Sequence, residues 1–204
     1  QRPNIGTSNT PDQLKVAMTF FLTMPGVPFI YYGDEIGMKY EMNLPSKEGS
    51  NDRAGTRTPM QWAPGATAGF STCTPDKLYL PVATDGGKLT VETQEKDPNS
   101  MLNYTRRLAN LRHATPALGN IADWKLLSDV KQPYPMVYQR TQGDQVCVVV
   151  LNPSGKAVKA VIPHVGEAKT KAQALISTGK ASYKTGKSDV VALGPVSAAV
   201  FEIK

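Results

Sequence analysis

Apolar residues recur at helical spacing near the beginning of the chain. The positions after Thr10-Pro11-Asp12-Gln13 that share one helix face are Leu14, Ala17, Met18, Phe21 and Leu22. Thr10 can cap such a helix, Pro11 suits its first turn, and Gln13 completes a capping box. We therefore predict a helix that begins at this capping sequence and ends before Pro25-Gly26.

An uninterrupted apolar run follows this helix. The sequence Pro28-Phe29-Ile30-Tyr31-Tyr32 has no charged residue and stops at Gly33. Such a run is typical of a short strand that is buried on both faces of a parallel sheet. A helix, a tight turn and a buried strand make one αβ step, so we predict a parallel α/β layer in this part of the chain.

The stretch from Gly33 to about Asp97 shows little periodicity and is rich in Gly, Pro, Thr and Asp. Irregular stretches of this length are uncommon in globular chains and are usually functional. A second helix is predicted from Asp97-Pro98-Asn99-Ser100 to about Thr115-Pro116. Its apolar positions are Met101, Leu102, Leu108 and Leu111.

After about Asn120 the pattern becomes one of short apolar runs separated by polar turns. Turn sequences include Asn152-Pro153-Ser154-Gly155 and Thr185-Gly186. Regular short strands of this kind predict an antiparallel β-sandwich. The predicted strands are Trp124–Leu127, Met136–Arg140, Val146–Leu151, Val158–Ile162, Ala172–Ile176, Val190–Leu193 and Ala198–Ile203.

Composition is that of an ordinary globular protein of one or two domains, with 204 residues, 40% hydrophobic and 20% charged. The chain begins at Gln1 rather than Met, so we expect the natural N-terminus to be missing. Apolar runs stay shorter than the roughly 18–20 residues of a membrane-spanning helix, and we expect no membrane partner. The net charge is +6, but the lysines are dispersed with few aromatic residues between them. We therefore expect no nucleic-acid partner.

Cysteine and histidine are scarce. Cys73 and Cys147 lie far apart in the sequence, and buried free thiols are favoured over a disulfide. His113 and His164 are the only histidines, and neither CxxC nor HExxH is present. The sequence therefore predicts no metal site and no cofactor.

Two acidic residues directly follow the predicted strand. Gly33-Asp34-Glu35 lies at the carboxyl end of the strand, where α/β barrels place their active sites. Adjacent residues of an extended chain point in opposite directions, so Asp34 and Glu35 are not a catalytic pair. One of them orients a neighbour or binds a ligand hydroxyl group.

A second cluster extends from Asn51 to Trp62 and contains Arg53 and Arg57. Arginine donates in pairs to carboxylates and hydroxyl groups, and an indole offers a flat apolar face. Sugars present this mixture of apolar faces and hydroxyl groups. A salt bridge that holds a loop would use the same residues, so both interpretations stay open.

Several segments together resemble one family, glycoside hydrolase family 13, the α-amylase family. Residues 24–38 resemble its segment at the eighth barrel strand, and residues 95–104 resemble the helix that follows. Arg57-Thr58-Pro59-Met60-Gln61-Trp62 is similar to a motif of its α-glucosidase, oligo-1,6-glucosidase and trehalose synthase branches. Val149–Asn152 and Val200–Ile203 resemble strands of the family's C-terminal β-domain.

This resemblance implies an α+β chain with two parts. Residues 1–120 would be a remnant of a (β/α)8 barrel, with its last helices and eighth strand, and residues 121–204 an antiparallel β-sandwich. The family uses an aspartate nucleophile, a glutamate acid/base and a further aspartate, and no position of this chain matches any of them. The resemblance thus implies the C-terminal part of a retaining α-glucoside-acting enzyme that is inactive without the rest of the barrel.

The same resemblance implies roles for five candidate substrate-binding residues. Arg53 would lie beside the leaving-group subsite, and Arg57 would brace the loop. Asp34 and Glu35 would anchor the loop or orient its neighbours. Trp62 would line the cleft, although packing in the core is an equal alternative.

Three kinds of partner follow from this interpretation. The first is an α-glucan or α-glucoside oligosaccharide, which a non-catalytic carbohydrate-binding module would bind as well. The second is the missing N-terminal part of the barrel, because the strand at Phe29–Tyr32 would otherwise expose unpaired edges. The third, for the same reason, is a second copy of the chain.

Overall fold

A computed structural model describes residues 10–45, 53–83, 89–167 and 170–204. The described residues form two compact units, one from 10–11, 29–45, 53–83 and 89–105 and the other from 12–28, 106–167 and 170–204. The helices are α1 (Pro11–Thr23), α2 (Val91–Glu95) and α3 (Met101–Ala114). Short 3-10 turns lie at Ala54–Thr56, Pro75–Lys77 and Pro116–Leu118. None of the helices in the described ranges has the length and apolarity that a membrane crossing requires.

The two predicted helices are confirmed as α1 and α3. The short helix α2 was not predicted, because its five residues lie in a stretch without apolar periodicity. Thr90 is its N-cap, and the Thr90 side chain accepts a hydrogen bond from the backbone N–H of Thr93 at 3.2 Å.

The predicted strand at residues 28–32 is not formed. This segment belongs to neither sheet among the described residues, and Phe29 is 85% exposed. A strand in a parallel sheet needs hydrogen-bonded neighbours on its edges and a layer over each face. The described chain supplies no such neighbours, so the apolar run remains a surface segment.

The predicted antiparallel sandwich is confirmed in residues 123–203. One sheet has the strand order β1-β2-β3-β8-β5 and the other β4-β7-β6, and every pair is antiparallel. The strand β6 was missed because its four residues are half polar. The strands are β1 (Asp123–Leu126), β2 (Met136–Gln142), β3 (Gln145–Asn152), β4 (Val158–Pro163), β5 (Ala172–Thr178), β6 (Ala181–Lys184), β7 (Ser188–Leu193) and β8 (Ser197–Ile203).

The five-stranded sheet is buried on both of its faces. On one face Val148 and Phe201 pack with Val191 of the smaller sheet. On the other, Val149 and Val200 belong to a cluster with Val16 of α1. Burial on both faces explains why β3 is an almost continuous apolar run instead of an alternating one.

Both cysteines are free thiols, as predicted. Cys147 is fully buried in the larger sheet, whereas Cys73 is only half-buried. Burial raises the pKa of the Cys147 thiol to about 12, so this thiol is protonated and inert at neutral pH.

A buried carboxylate ties together the turns at one end of the smaller sheet. The side chain of Asp189 is fully buried. It accepts hydrogen bonds from His164 Nδ1 at 2.8 Å, Val165 N at 3.0 Å, Tyr183 Oη at 2.7 Å and Gly186 N at 3.1 Å. Burial opposes ionisation, but these donors outweigh it and lower the pKa of Asp189.

His164 faces hydrogen-bond acceptors at both ring nitrogens. Nδ1 contacts the Asp189 carboxylate, and Nε2 lies 3.0 Å from the carbonyl oxygen of Glu167. Both nitrogens donate only in the imidazolium form. The hydrogen bond to Asp189, and then that to Glu167, raise the pKa of His164 above its usual value.

This contact makes the stability of the sandwich depend on pH. Because the pKa of His164 is higher in the folded than in the unfolded state, its contact with Asp189 stabilises the fold fully at pH values below the unfolded pKa of about 6.5. This stabilisation is lost as pH rises through the folded pKa. We expect the denaturation midpoint to fall as pH rises above about 6.5. Trp124 fluorescence in a Trp62→Phe background measures it. His164→Asn should flatten this slope, and His113→Asn, at an exposed position of α3, should preserve it. A slope that persists in His164→Asn would contradict the assignment.

Candidate functional site

The two candidate acidic residues lie in a tight turn at residues 33–38. Its backbone hydrogen bonds run from Asp34 N to Tyr31 O at 3.0 Å and from Met38 N to Gly33 O at 2.8 Å. Gly33 has a φ of 89°, a conformation that favours glycine. Asp34 and Glu35 are both half-buried in this turn.

A buried amide fixes the turn to the surrounding helices. Gln94 of α2 donates from Nε2 to the carbonyl oxygen of Ile36 at 2.7 Å, and its Oε1 accepts from the backbone N–H of Leu102 at 3.0 Å. Ile36 also packs in a small apolar cluster with Met38 and Met60. Both packing and hydrogen bonds therefore fix the position of the acidic turn.

Glu35 has one oxygen that the described residues leave unsatisfied. Its Oε2 is buried and has no hydrogen-bond partner in the described part of the chain. A buried carboxylate oxygen without a donor is costly. This arrangement calls for a donor that the described residues do not supply.

The candidate arginines flank the 3-10 turn at Ala54–Thr56. The carbonyl oxygen of Arg53 accepts hydrogen bonds from Thr56 N at 3.0 Å and Thr56 Oγ1 at 2.8 Å, and Arg57 N donates to Ala54 O at 2.9 Å. The turn holds the backbone of both arginines while Arg53 and Arg57 remain exposed. Asn51 and Asp52, which belong to the same predicted cluster, lie outside the described residues.

Close backbone contact explains the glycine within this turn. The Glu41 N–H donates to the carbonyl oxygen of Gly55 at 3.1 Å. A Cβ atom at Gly55 would lie 2.1 Å from the carbonyl oxygen of Glu41, a distance that no side chain tolerates. Glycine is therefore required between the two arginines.

A tyrosine joins the two candidate clusters. Tyr32, just before the acidic turn, donates from its hydroxyl group to the carbonyl oxygen of Thr58 at 3.1 Å. Its ring also contacts that of Tyr31, with 4.7 Å between the ring centroids. Thr58 directly follows Arg57, so this hydrogen bond holds the arginine segment beside the end of the apolar run.

Trp62 has a fixed backbone and an exposed ring. Trp62 N donates to Ala68 O at 2.8 Å, and Trp62 O accepts from Glu92 N at 2.9 Å. The residue is nevertheless 51% exposed. Its ring is thus presented to solvent and is not a core side chain.

The structure places all five predicted site residues in one compact unit, residues 29–105. Sequence reasoning missed Gln94 and the Tyr32 hydroxyl group as the groups that position them. No local signal marks Gln94, because its partner Ile36 is 58 residues away. Across the described ranges, no three His, Cys, Asp or Glu side chains group as metal ligands do.

Comparison with known proteins places this geometry in a family. Residues 4–120 match the family model described as "Alpha amylase, catalytic domain". Trehalose synthase of Pimelobacter sp. (strain R48) is 40% identical over 115 residues, which cover 54% of this chain and 19% of that protein. Oligo-1,6-glucosidase of Parageobacillus thermoglucosidasius is 29% identical over 225 residues, covering 95% of this chain and 38% of that protein.

Solved structures agree on the fold. The crystal structure of the isomaltulose synthase SmuA from Protaminobacter rubrum superposes with a TM-score of 0.78 at 23% identity, covering 95% of this chain and 38% of SmuA. The chain spans about a fifth of the length of the trehalose synthase that it matches. The α+β fold class, a barrel remnant followed by a β-sandwich, is thereby confirmed. The chain belongs to the α-amylase family, glycoside hydrolase family 13.

Proposed function

We propose that this chain is the C-terminal part of a retaining enzyme that acts on an α-glucan or a short α-glucoside. In this proposal residues 1–120 close the catalytic barrel and residues 121–204 form the C-terminal β-domain. The observation that carries it is the match of residues 4–120 to the α-amylase catalytic domain. That range contains both candidate clusters and the Tyr32–Thr58 hydrogen bond that joins them.

The chain contributes a wall of the sugar cleft in this proposal. The exposed side chain of Arg53 donates to sugar hydroxyl groups, and Arg57 braces the loop that carries it. The exposed Trp62 ring supports an apolar sugar face. Asp34 and Glu35 hold the acidic turn in place, and the unsatisfied Oε2 of Glu35 receives its donor from the rest of the barrel.

The reaction itself needs groups that lie elsewhere in the enzyme. A retaining glycosidase uses one carboxylate as nucleophile and one carboxylic acid as general acid, about 5–5.5 Å apart. In this proposal both come from the part of the barrel that precedes this chain. The purified chain should therefore release no nitrophenol from nitrophenyl α-glucoside.

The exposed apolar run at residues 29–32 is the proposed contact with the remainder of the barrel. Phe29 is 85% exposed, and Ile30, Tyr31 and Tyr32 are each 38–39% exposed. A contiguous apolar surface of this kind marks an interaction site. The chain alone should therefore self-associate, whereas a chain joined to a complete barrel should not.

A chimeric enzyme tests the proposal. Residues 1–204 replace the matching segment of oligo-1,6-glucosidase from P. thermoglucosidasius, which then supplies the missing carboxylates. We expect a monomer that hydrolyses nitrophenyl α-glucoside. Arg53→Ala should lower its kcat/KM about 10–100-fold, because a charged hydrogen bond contributes about 1.5–3 kcal/mol.

The control is Lys180→Ala, an exposed cation of the sandwich, which should leave kcat/KM unchanged. Equal kcat/KM values for the two variants would remove Arg53 from the sugar site. A folded but inactive chimera, or glucoside turnover by residues 1–204 without a contaminating enzyme, would contradict the proposed function.

A further inference from the structure

The β-sandwich carries a cavity of about 380 Å3 that no step of the proposed function uses. It lies between the loop that follows β1 and the strand β4, and its walls include Asp129, Gln132, Tyr134, Lys159 and Val161. Its volume falls within the range of small-molecule sites, about 300–1,000 Å3. The candidate residues described above belong to the other compact unit.

The loop wall of the cavity is held by its own hydrogen bonds. Ser128 N donates to Val137 O at 3.1 Å, and Ser128 Oγ accepts from Val137 N at 3.1 Å. Asp129 Oδ1 accepts from Lys131 N at 2.9 Å, and Gln132 N donates to Asp129 O at 3.1 Å. The loop is therefore shaped before any ligand arrives, which lowers the entropic cost of binding.

Several polar side chains around the cavity are available to a ligand. Within the described ranges, the side chains of Gln132, Tyr134 and Lys159 make no hydrogen bond to the protein. The opposite wall is β4, the edge strand of the smaller sheet, whose outer backbone groups have no strand partner among the described residues. Donors and acceptors thus face the cavity from both sides.

The lining favours a neutral polyhydroxyl ligand. Asp129 and Lys159 carry opposite charges, so the cavity has no excess charge to attract an anion or a metal ion. Tyr134 is 43% exposed and Val161 is 67% exposed, and they offer apolar surface beside the polar groups. A sugar ring combines an apolar face with hydroxyl groups that both donate and accept.

We propose that this cavity binds a glucose unit of an α-glucan, with the sugar ring stacked on Tyr134 and its hydroxyl groups bonded to Asp129, Gln132 and Lys159. The identity of the sugar rests on the proposed function, whereas the site itself rests on the residues of the sandwich. Binding here would give the enzyme a second hold on an oligosaccharide and raise its local concentration.

Nuclear magnetic resonance of chain 1–204 titrated with maltotriose tests this site. We expect saturable shifts at residues 128–135 and 159–161. Tyr134→Ala should weaken binding about tenfold, the change expected from losing about 1.4 kcal/mol of stacking and burial. Lys159→Ala, on the strand opposite the loop, should weaken it about threefold through the loss of a single hydrogen bond.

Phe70→Ala, at an exposed aromatic position outside the sandwich, is the matched aromatic control and should leave these shifts unchanged. Binding that is lost in Trp62→Ala but retained in Tyr134→Ala would overturn this site and still support the proposed function. Inorganic phosphate should not shift the same resonances. A response to phosphate without a response to maltotriose would identify an anion site and contradict the inference.

Discussion

Replacing Arg140 with methionine should lower the free energy of unfolding of the β-sandwich by about 3–4 kcal/mol. Arg140 is fully buried in β2. Its guanidinium group donates to the carbonyl oxygens of Thr23, Gly119, Ala122 and Asp123. Methionine fills a similar volume but leaves these carbonyl groups without their donor.

The cost is large because the contacts are both buried and charged. Burial, and after it the charge of Arg112, lowers the pKa of Arg140, yet an arginine stays protonated at neutral pH. Thr23 lies at the end of α1, where the helix dipole favours a cation. Tyr138 adds a hydrogen bond between its hydroxyl group and the Thr23 side chain. One side chain thus ties α1 to the linker before β1.

Urea denaturation measures this effect. Trp124 packs against Tyr138, with 6.1 Å between ring centroids, so its fluorescence in a Trp62→Phe background reports on the sandwich. Arg140→Lys keeps the charge but reaches fewer carbonyl groups, so its free energy of unfolding should lie between those of the unchanged chain and Arg140→Met. Lys125→Met, at an exposed position of β1, should change the stability by less than about 0.5 kcal/mol. Equal losses for Lys125→Met and Arg140→Met would refute the role of Arg140.

Replacing Gln94 with leucine should destabilise the unit of residues 29–105 by about 2–3 kcal/mol. Leucine is close in volume but leaves the carbonyl oxygens of Ile36 and Leu89 and the N–H of Leu102 without their partner. The Leu102 N–H lies at the start of α3, where backbone donors have no intrahelical partner. The variant should therefore loosen both the acidic turn and the helix start.

Two variants of the same short helix control for this result. Gln94→Glu keeps the acceptor for Leu102 and loses the donor to Ile36, so its stability should lie between those of the unchanged chain and Gln94→Leu. Lys96→Met removes only an exposed ion pair with Glu92 at 3.2 Å and should change the stability by about 0.5 kcal/mol or less. Trp62 fluorescence in a Trp124→Phe background reports on this unit. A Gln94→Leu variant as stable as Lys96→Met would show that the amide contacts contribute nothing.

Local patterns predicted most of the regular structure. The capping sequence before Leu14 and the apolar spacing that follows gave α1 nearly to the residue. Strands such as β3 were predicted correctly because a short apolar run between polar turns rarely forms any other element. The strand predicted at residues 28–32 failed for a reason that lies outside the local pattern. The apolar side chains of Phe29–Tyr32 indicate that this segment is suited to burial. Forming a buried strand also requires neighbouring strands, which the described chain does not supply.

The candidate site divides in the same way. Asp34, Arg53 and Trp62 were identified from residue type and resemblance to a family. Gln94 and the Tyr32 hydroxyl group were not, because each acts on a backbone group far away in the sequence. Arg140 is a similar case, since a charged residue in a strand is normally assigned to the surface. Its partner Thr23 is 117 residues away.

Periodicity and turn chemistry are properties of residues that are neighbours in the sequence. They were enough to predict the two helices, the sandwich and the separation of apolar from polar faces. The choice of partner for each buried polar group belongs to the folded molecule. Every residue carries a backbone carbonyl group, so nothing in the sequence marks those of Thr23 and Ile36 as hydrogen-bond acceptors for a distant side chain. They become sites for Arg140 and Gln94 only when folding removes them from water and brings a distant donor within hydrogen-bonding distance.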